Sequence, residues 1–568
     1  MTTGFAAEPA AWLELGLFVV VLTAITPVLG GYLADVYGGA TSPIPRLLRP
    51  LEMLVYRLCR IDPAAEMTWS GYLAAVVAFT LVSTAALFGI LRTQQWLPLN
   101  PQHAANLPPL LALNVAVSFA TTTDWQAYAG ENTLRYLVQA VGLVSQNFIA
   151  GAAGLAVGIA FIRGFARQQS ATIGNFWVDL VRALLWVLLP IALLGSLLLI
   201  WQGVPMNLAP YVRAHTLEGG AQVIAQGPVA ALELIKNLGT NGGGFFNANG
   251  AHPFENPTPA TGFIGLLAIA VLPASLTMTF GRMTGRPRAG WILLGVMAVL
   301  FVAGVAICDH AESARPPHLA GLHVVGANME GKETRFGVGD SVLTAVVTSN
   351  GATGSYDSML DSYQPVGVLV PLVNMLLGEV VFGGLGTGFS GMIMIALVAV
   401  FLGGLMIGRT PAYLGKKLTE GEAKLVAFNI VLTPAVVLIL SALALSTSAG
   451  RAAISTNSGP HGLTEVIFAY ASCMANNGQT MASLNGDSLF YNLTTALAII
   501  AGRFGPPALA LALAGRFAAQ GRLATTAGTL PSDTLAFGAL ILATIVIVGA
   551  LNFFPALALG PIVEALGG

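Results

Sequence analysis

Four short stretches of small polar residues recur along this 568-residue chain. They read SFATTTDWQ (118–126), NLGTNGGGFF (237–246), VVTSNGATG (346–354) and CMANNGQTM (473–481). Their central triplets align as Thr121-Thr122-Thr123, Thr240-Asn241-Gly242, Ser349-Asn350-Gly351 and Asn476-Asn477-Gly478. Asn241, Asn350 and Asn477 then share one position, and Gly242, Gly351 and Gly478 the next. Successive triplets start 119, 109 and 127 residues apart. These residue types suit the replacement of water around a cation that must dehydrate to be selected. A short extended strand offers backbone carbonyls in succession, and protein oxygens of this kind can stand in for a hydration shell. Glycine permits positive φ and close approach of the backbone. Thr, Ser and Asn add side-chain oxygens and anchor the strand. One such string alone is an ordinary turn sequence; four at regular spacing point to one shared site.

The elements around the strings fit that task. Each string ends an apolar stretch too short to cross a membrane, at 109–120, 228–238, 338–347 and 462–474. Each stretch lies between two longer apolar regions. The order span, half-helix, polar strand, span predicts a re-entrant hairpin, which is tolerated at membrane depth where it is buried in protein or lines a wet cavity. A half-helix that ends at the strand points the negative end of its dipole at the cation. Ten regions are long enough to span: 12–33, 71–92, 133–163, 176–201, 261–281, 289–308, 365–408, 425–445, 489–514 and 534–555.

Composition agrees. Hydrophobic types make up 55% of the chain and Asp, Glu, Lys and Arg only 9%, against about 25% charged residues in soluble domains. The fold class expected is all-α integral membrane. The 66 glycines and 31 prolines suit close helix packing and broken helices. A net charge of -1 argues against a nucleic-acid partner. Cys59, Cys308 and Cys473 offer neither metal-ligand spacing nor a disulfide framework. The start lacks the basic flank and cleavage site of a signal peptide, so the first apolar run is expected to remain. The spans and strings divide the chain into an extra first span with its loop (1–60), four pore units (61–170, 171–285, 286–420 and 421–525) and an extra last span (526–568).

Basic residues set the expected orientation. Arg46, Arg49, Arg57 and Arg60 follow the first span, and Arg163, Arg167 and Arg182 surround the third-to-fourth connection. Arg282, Arg286 and Arg288, then Arg409, Lys416, Lys417 and Lys424, then Arg516 and Arg522 follow on the same side. That side holds 16 of the 25 Lys and Arg and reads as cytoplasmic, with both termini outside. The seven histidines (His103, His215, His252, His310, His318, His323 and His461) all fall in outer segments without ligand spacing.

Ionisable residues inside spans are costly and usually pair or line water. Glu379 lies in the seventh region and Arg503 in the ninth. Pairing with each other or with backbone, and a place in the ion path below the strings, are both open. Lys236 lies in the second half-helix and is expected to clamp carbonyls. Glu131 and Arg135, spaced i, i+4, read as a surface pair. The seventh region, 365–408, would be about 66 Å long as one helix, too long for a hydrocarbon layer of about 30 Å. Gly378, Gly383, Gly384, Gly386, Gly388 and Gly391 crowd its middle and disfavour continuous helix. Two half-helices joined by an intramembrane loop at 383–388, just below the strings, are expected.

Other chemistries are weakly supported. The string GANMEGK (326–332) has the spacing of a phosphate loop but is followed by Glu333 and lacks a strand-to-helix context. No DKTGT phosphorylation stretch is present. Asp357 and Asp361 could hold a divalent metal in an intramembrane enzyme, or act as a solvated pair that concentrates cations.

Four span-hairpin-span units in one chain resemble the superfamily of potassium transporters. Within it, GTNGGGFFNANGAHPFENP (239–257), GEVVFGGLGTGFSGM (378–392) and GRTPAYLGKK (408–417) are similar to the potassium-translocating subunits of Kdp-type pumps. The resemblance covers essentially the whole chain. It implies potassium as the transported ion and no nucleotide in this chain. The implied partners are a P-type ATPase catalytic subunit, which hydrolyses ATP, and small accessory membrane subunits. It carries the filter onto Thr122, Thr123, Asn241, Gly242, Asn350, Gly351, Asn477 and Gly478, and places Gln126 near an outer ion site. The loop around Gly383, Gly384 and Gly386, with Glu379 and Arg503, could then gate the ion and divert it sideways towards the ATPase. The first strand departs from the Asn-Gly pattern, so an asymmetric filter is expected. A self-sufficient potassium or sodium transporter of the same superfamily is the nearest alternative. A secondary transporter built from inverted repeats is more distant, because the four hairpins share one orientation.

Overall fold

The computed structural model describes residues 9–38, 43–315, 326–406, 408, 411–523 and 531–567. His318, His323 and Arg409 lie outside these residues. Ten described helices are long and apolar enough to cross a membrane: Ala11–Gly38, Trp69–Trp96, Val138–Ala166, Phe176–Trp201, Pro259–Met283, Pro287–Glu312, Thr387–Met406, Glu420–Ser446, Leu489–Ala519 and Leu535–Ala565. Their starts carry side chains that satisfy free amides. Thr68, Asn175, Thr258, Ser488 and Thr534 each accept a hydrogen bond from the first turn.

The third and fifth spans are the most enclosed. Small residues let them approach their neighbours. A Cβ on Gly164 would lie 2.5 Å from the Ala514 Cα on the ninth span. One on Gly30 of the first span would lie 2.6 Å from Ser275 O of the fifth. Close backbone packing through small residues is the usual way membrane helices hold together where lipid removes the hydrophobic drive. Outward faces remain apolar, with Leu193, Leu194 and Leu197 exposed on the fourth span.

Between the first and second spans, where only a loop is expected, lies a further helix, Pro43–Cys59. Leu47, Leu51, Leu54 and Leu58 form an exposed stripe along it, and Arg49 and Arg57 are exposed beside the stripe. That is the pattern of a helix lying in the membrane interface. An outer hairpin pairs Val212–His215 with Ala221–Ile224, and an inner one pairs Ala412–Tyr413 with Lys416–Lys417. The seventh region is interrupted. Helix Pro365–Leu376 stops, residues 377–386 form a non-helical segment, and Thr387–Met406 resumes.

Candidate filter and the loop beneath it

Four half-helices lead to the polar strings: Pro109–Ala120, Val229–Leu238, Gly337–Asn350 and Gly459–Ala475. Each is stopped by the same backbone turn. The amides of Thr123, Asn241, Thr353 and Asn477 bond back five residues to the carbonyls of Ser118, Lys236, Thr348 and Ser472, at 3.0, 2.9, 3.3 and 2.9 Å. The residue before each is left-handed: Thr122, Thr240, Ala352 and Asn476 have φ of 64°, 49°, 52° and 58°. So is the residue after: Asp124, Gly242, Gly354 and Gly478 have φ of 49°, 90°, 66° and 83°.

This repeated geometry fixes the register, and it corrects the sequence alignment in two strands. Thr123, not Thr122, is the counterpart of Asn241 and Asn477, and Asp124 takes the glycine position. In the third strand the counterparts are Thr353 and Gly354. Asn350 is the last helical residue and Gly351 caps it, donating to Val347 O at 2.8 Å. The reason is chemical. Asn and Gly are favoured at helix C-termini, so Ser349-Asn350-Gly351 is capping chemistry that imitates the string three residues later.

The four strands are neighbours around one centre. A Cβ on Gly242 would lie 1.6 Å from the Thr353 carbonyl oxygen. One on Gly354 would lie 2.3 Å from that of Asn477, and one on Gly478 2.0 Å from that of Thr123. Strand two therefore abuts three, three abuts four, and four abuts one. Strands one and two close the circuit through side chains. Gln126 Oε1 accepts from Gly244 N at 3.0 Å, and its Nε2 donates to Tyr128 OH at 3.0 Å. Asn476 Nδ2 donates to Thr123 Oγ1 at 2.8 Å, which ties four to one again. Asn241 points its amide at the Gly239 and Asn147 carbonyls, 3.2 and 2.9 Å away. Above the ring opens a cavity of about 650 Å³ whose lining includes Asp124, Gln126, Gly243, Gly354, Asp357 and Gly478.

The interrupted seventh region forms a floor below. Asn477 Nδ2 donates to Glu379 Oε1 at 2.8 Å. Leu385 N donates to Thr240 Oγ1 at 3.0 Å. A Cβ on Gly383 would lie 2.8 Å from Asn350 O, and one on Gly384 3.1 Å from the Ala352 Cβ. Gly386 (φ 91°) presses against the third span, where a Cβ would meet Gly154 O at 2.4 Å. Arg503 completes the surround: Nη1 donates to Thr122 Oγ1 and Nη2 to Ala150 O, both at 3.1 Å. Glu379 and Arg503 thus serve strands four and one separately. Beside the loop a second, smaller cavity of about 90 Å³ is bounded by Gly378, Glu379, Thr387, Asn476, Gly502 and Phe553.

Several charged residues support the strands from behind. Lys236 reaches Glu233, Glu255 and Asn249, each at 2.6 Å, all buried. Glu255 accepts from Phe246 N at 2.9 Å, and Asn249 donates to Gly243 O at 2.8 Å. The clamp expected on carbonyls is therefore a carboxylate cluster that holds strand two indirectly. Arg135 does not pair with Glu131. The helical turn Gly130–Thr133 ends before it, and Arg135 turns inward to Pro98 O at 3.2 Å while Glu131 accepts from Asn247 N at 3.0 Å. Lys332 of the GANMEGK string is buried, 2.8 Å from Glu312 and 4.0 Å from the centre of the Tyr363 ring. Asp361 accepts from Asn457 and Ser483 at 2.7 and 2.5 Å and lies 3.2 Å from His461 Nε2. Lys416 on the inner hairpin donates to the carbonyls of Arg167, Phe517 and Gln520 at 2.6, 2.7 and 2.9 Å. It joins the inner ends of the third and ninth spans, a role its sequence context did not disclose.

An all-α membrane chain with four pore hairpins around one centre defines the class. A solved structure with the same architecture is the potassium transporter TrkH from Vibrio parahaemolyticus, with a TM-score of 0.53 over 87% of this chain and 95% of that one, at 13% identity. The family model for KdpA, the potassium-transporting ATPase A subunit, matches residues 16–566, and the chain belongs to that family. Relatives named potassium-transporting ATPase potassium-binding subunit occur in Solibacter usitatus and Methylorubrum populi. They are 48% and 49% identical to this chain over 97% and 98% of it, and over 97% of their own length.

Proposed function

We propose that the chain binds and translocates potassium as one subunit of an ATP-driven uptake complex in a bacterial inner membrane. The observation that carries this is the ring: four strands stopped by one turn, three of their four junctions fitted through a backbone carbonyl and the fourth closed by the Gln126 side chain. The carbonyls of Thr123, Asn241, Thr353 and Asn477 form one level at which a dehydrated potassium ion is held, with the half-helix dipoles behind it. Gln126 guards the outer entrance. The family membership supports a division of labour in which a P-type partner hydrolyses ATP and small membrane subunits accompany it. The loop at 377–386 is the gate below the ring, and the cavity beside Glu379 starts a sideways route to the partner. The excess of basic residues on the loop side supports a cytoplasmic position for it and an outside position for both termini.

The test measures ATP hydrolysis and potassium uptake with and without the partner chains. The purified chain alone is expected to hydrolyse no ATP. With a P-type partner, hydrolysis should appear and rise with potassium. Steady hydrolysis by the isolated chain would overturn the division of labour. ATP-independent accumulation by the chain alone would favour a self-sufficient transporter.

A further inference from the structure

Asp124 stands where the other three strands have glycine. It is 2% exposed, it has φ of 49°, and no charged group hydrogen-bonds to its carboxylate oxygens. The structure makes room for its side chain. A Cβ on Gly243, the second of two consecutive left-handed glycines in strand two, would lie 3.3 Å from the Asp124 Cβ and 3.5 Å from its Oδ2. Strand two therefore carries an extra glycine beside the one side chain of the ring. Asp124 also lines the outer cavity.

The groups around it do not neutralise it. On its own strand Tyr128 is near enough to feel its charge, and the third span faces it with the Asn147 amide. Lys236 of the second half-helix acts on it at longer range, but that ammonium is already held by Glu233 and Glu255. Arg503 is committed to Thr122 Oγ1 and Ala150 O. A buried carboxylate without a counter-ion is costly, and a cation beside it removes that cost.

We propose that Asp124 is the fixed counter-charge of the cation in the ring, a single acidic residue that sets its affinity. The inference rests on the filter reading. Three strands hold the ion by dipoles alone, and the first adds a full charge from one side. Selectivity among monovalent ions stays with the carbonyl level, and affinity is what Asp124 raises. Proton and cation then compete for the same charge, so binding should weaken in acid.

The experiment is equilibrium binding of radioactive rubidium to the purified full chain, at pH values on both sides of neutrality. Asp124→Asn and Asp124→Gly are both expected to weaken binding at least about tenfold and to flatten the acid limb seen in the wild type. The glycine variant matches the other three strands, so it controls for packing. Unchanged affinity in Asp124→Asn, or wild-type binding by Asp124→Gly, would overturn the proposal. Gly242→Ala is measured in parallel. If that variant binds and discriminates normally, the filter reading itself fails. If it is defective while the Asp124 variants are normal, only the counter-charge fails.

Discussion

Gly242, Gly354 and Gly478 lack space for one methyl group, and the obstacle each time is a carbonyl oxygen of the next strand. In the proposed filter, a carbonyl that holds the ion cannot move without changing the site. Gly242→Ala and Gly354→Ala are therefore expected to lower potassium-over-sodium discrimination in uptake at least about tenfold while the chain still inserts. Gly351 differs: its Cβ would meet Ile269 Cγ2 at 2.2 Å, the end of a side chain that can rotate. Gly351→Ala should keep most of the discrimination, and an equal loss in all three would refute the corrected register. A second residue-scale prediction concerns His461. Its Nδ1 lies 2.8 Å from Glu564 and its Nε2 3.2 Å from Asp361, and hydrogen bonds to Asp361 and then Glu564 raise its pKa to about 10. A folded pKa above the unfolded value stabilises at pH below the unfolded pKa, about 6.5, and the contribution fades as pH rises through about 10. His461→Gln should cost on the order of 1–2 kcal/mol near neutrality. Thermal melts of the two proteins in detergent should converge above the raised pKa. A constant gap across that range would sink the clamp.

At the scale of elements, the half-helices were legible because their apolar runs are too short to span and end in small polar residues. The break in the seventh region was legible from length against bilayer thickness and from Gly383, Gly384 and Gly386. The register of the first and third strands was not. VVTSNGATG contains an Asn-Gly and a Thr-Gly pair, and the sequence offers no way to choose between them. The choice is made by the bond from Thr353 N to Thr348 O, a fact of helix termination. Asp124 was hidden for the same reason, since a register one residue early puts Thr123 in its place. The partners of Glu379 and Arg503 were also out of reach, because Asn477 and Thr122 are far from them in the chain. The loop at 377–386 now has contacts that a gate would need to break: Glu379 to Asn477 on strand four and Leu385 to Thr240 on strand two. Gly386 packs so closely on Gly154 and Gly158 that the loop has one snug seat. Deleting residues 384–387 would remove that seat and the Leu385 bond. The expected result is a potassium leak down its gradient without ATP, read as rubidium efflux from loaded vesicles. A deletion that stays tight and still pumps would end the gating role.

At the scale of the whole molecule, orientation decides which face of the ring meets the outside. The four half-helices and the 650 Å³ cavity lie on one side, and the inner hairpin with Lys416 and the helix Pro43–Cys59 on the other. The positive-inside rule leads us to propose that the second side is cytoplasmic. The amphipathic helix fits there, because its apolar stripe can sink into the interface while Arg49 and Arg57 face anionic headgroups. The chain carries its own probe of this arrangement. Cys59, at the end of that helix, is exposed, whereas Cys308 and Cys473 are buried. A membrane-impermeant thiol reagent should therefore label the wild type in inside-out vesicles and leave right-side-out vesicles unlabelled. Cys59→Ala should abolish the signal, which assigns it to one residue without any engineered cysteine. Labelling from the outer face would invert the chain. The outer cavity and Gln126 would then open to the cytoplasm, and a filter reached first from inside could not serve uptake. Labelling from inside alone fixes the ring at the outer end of the path and the loop at 377–386 at its inner end, the order an uptake route requires.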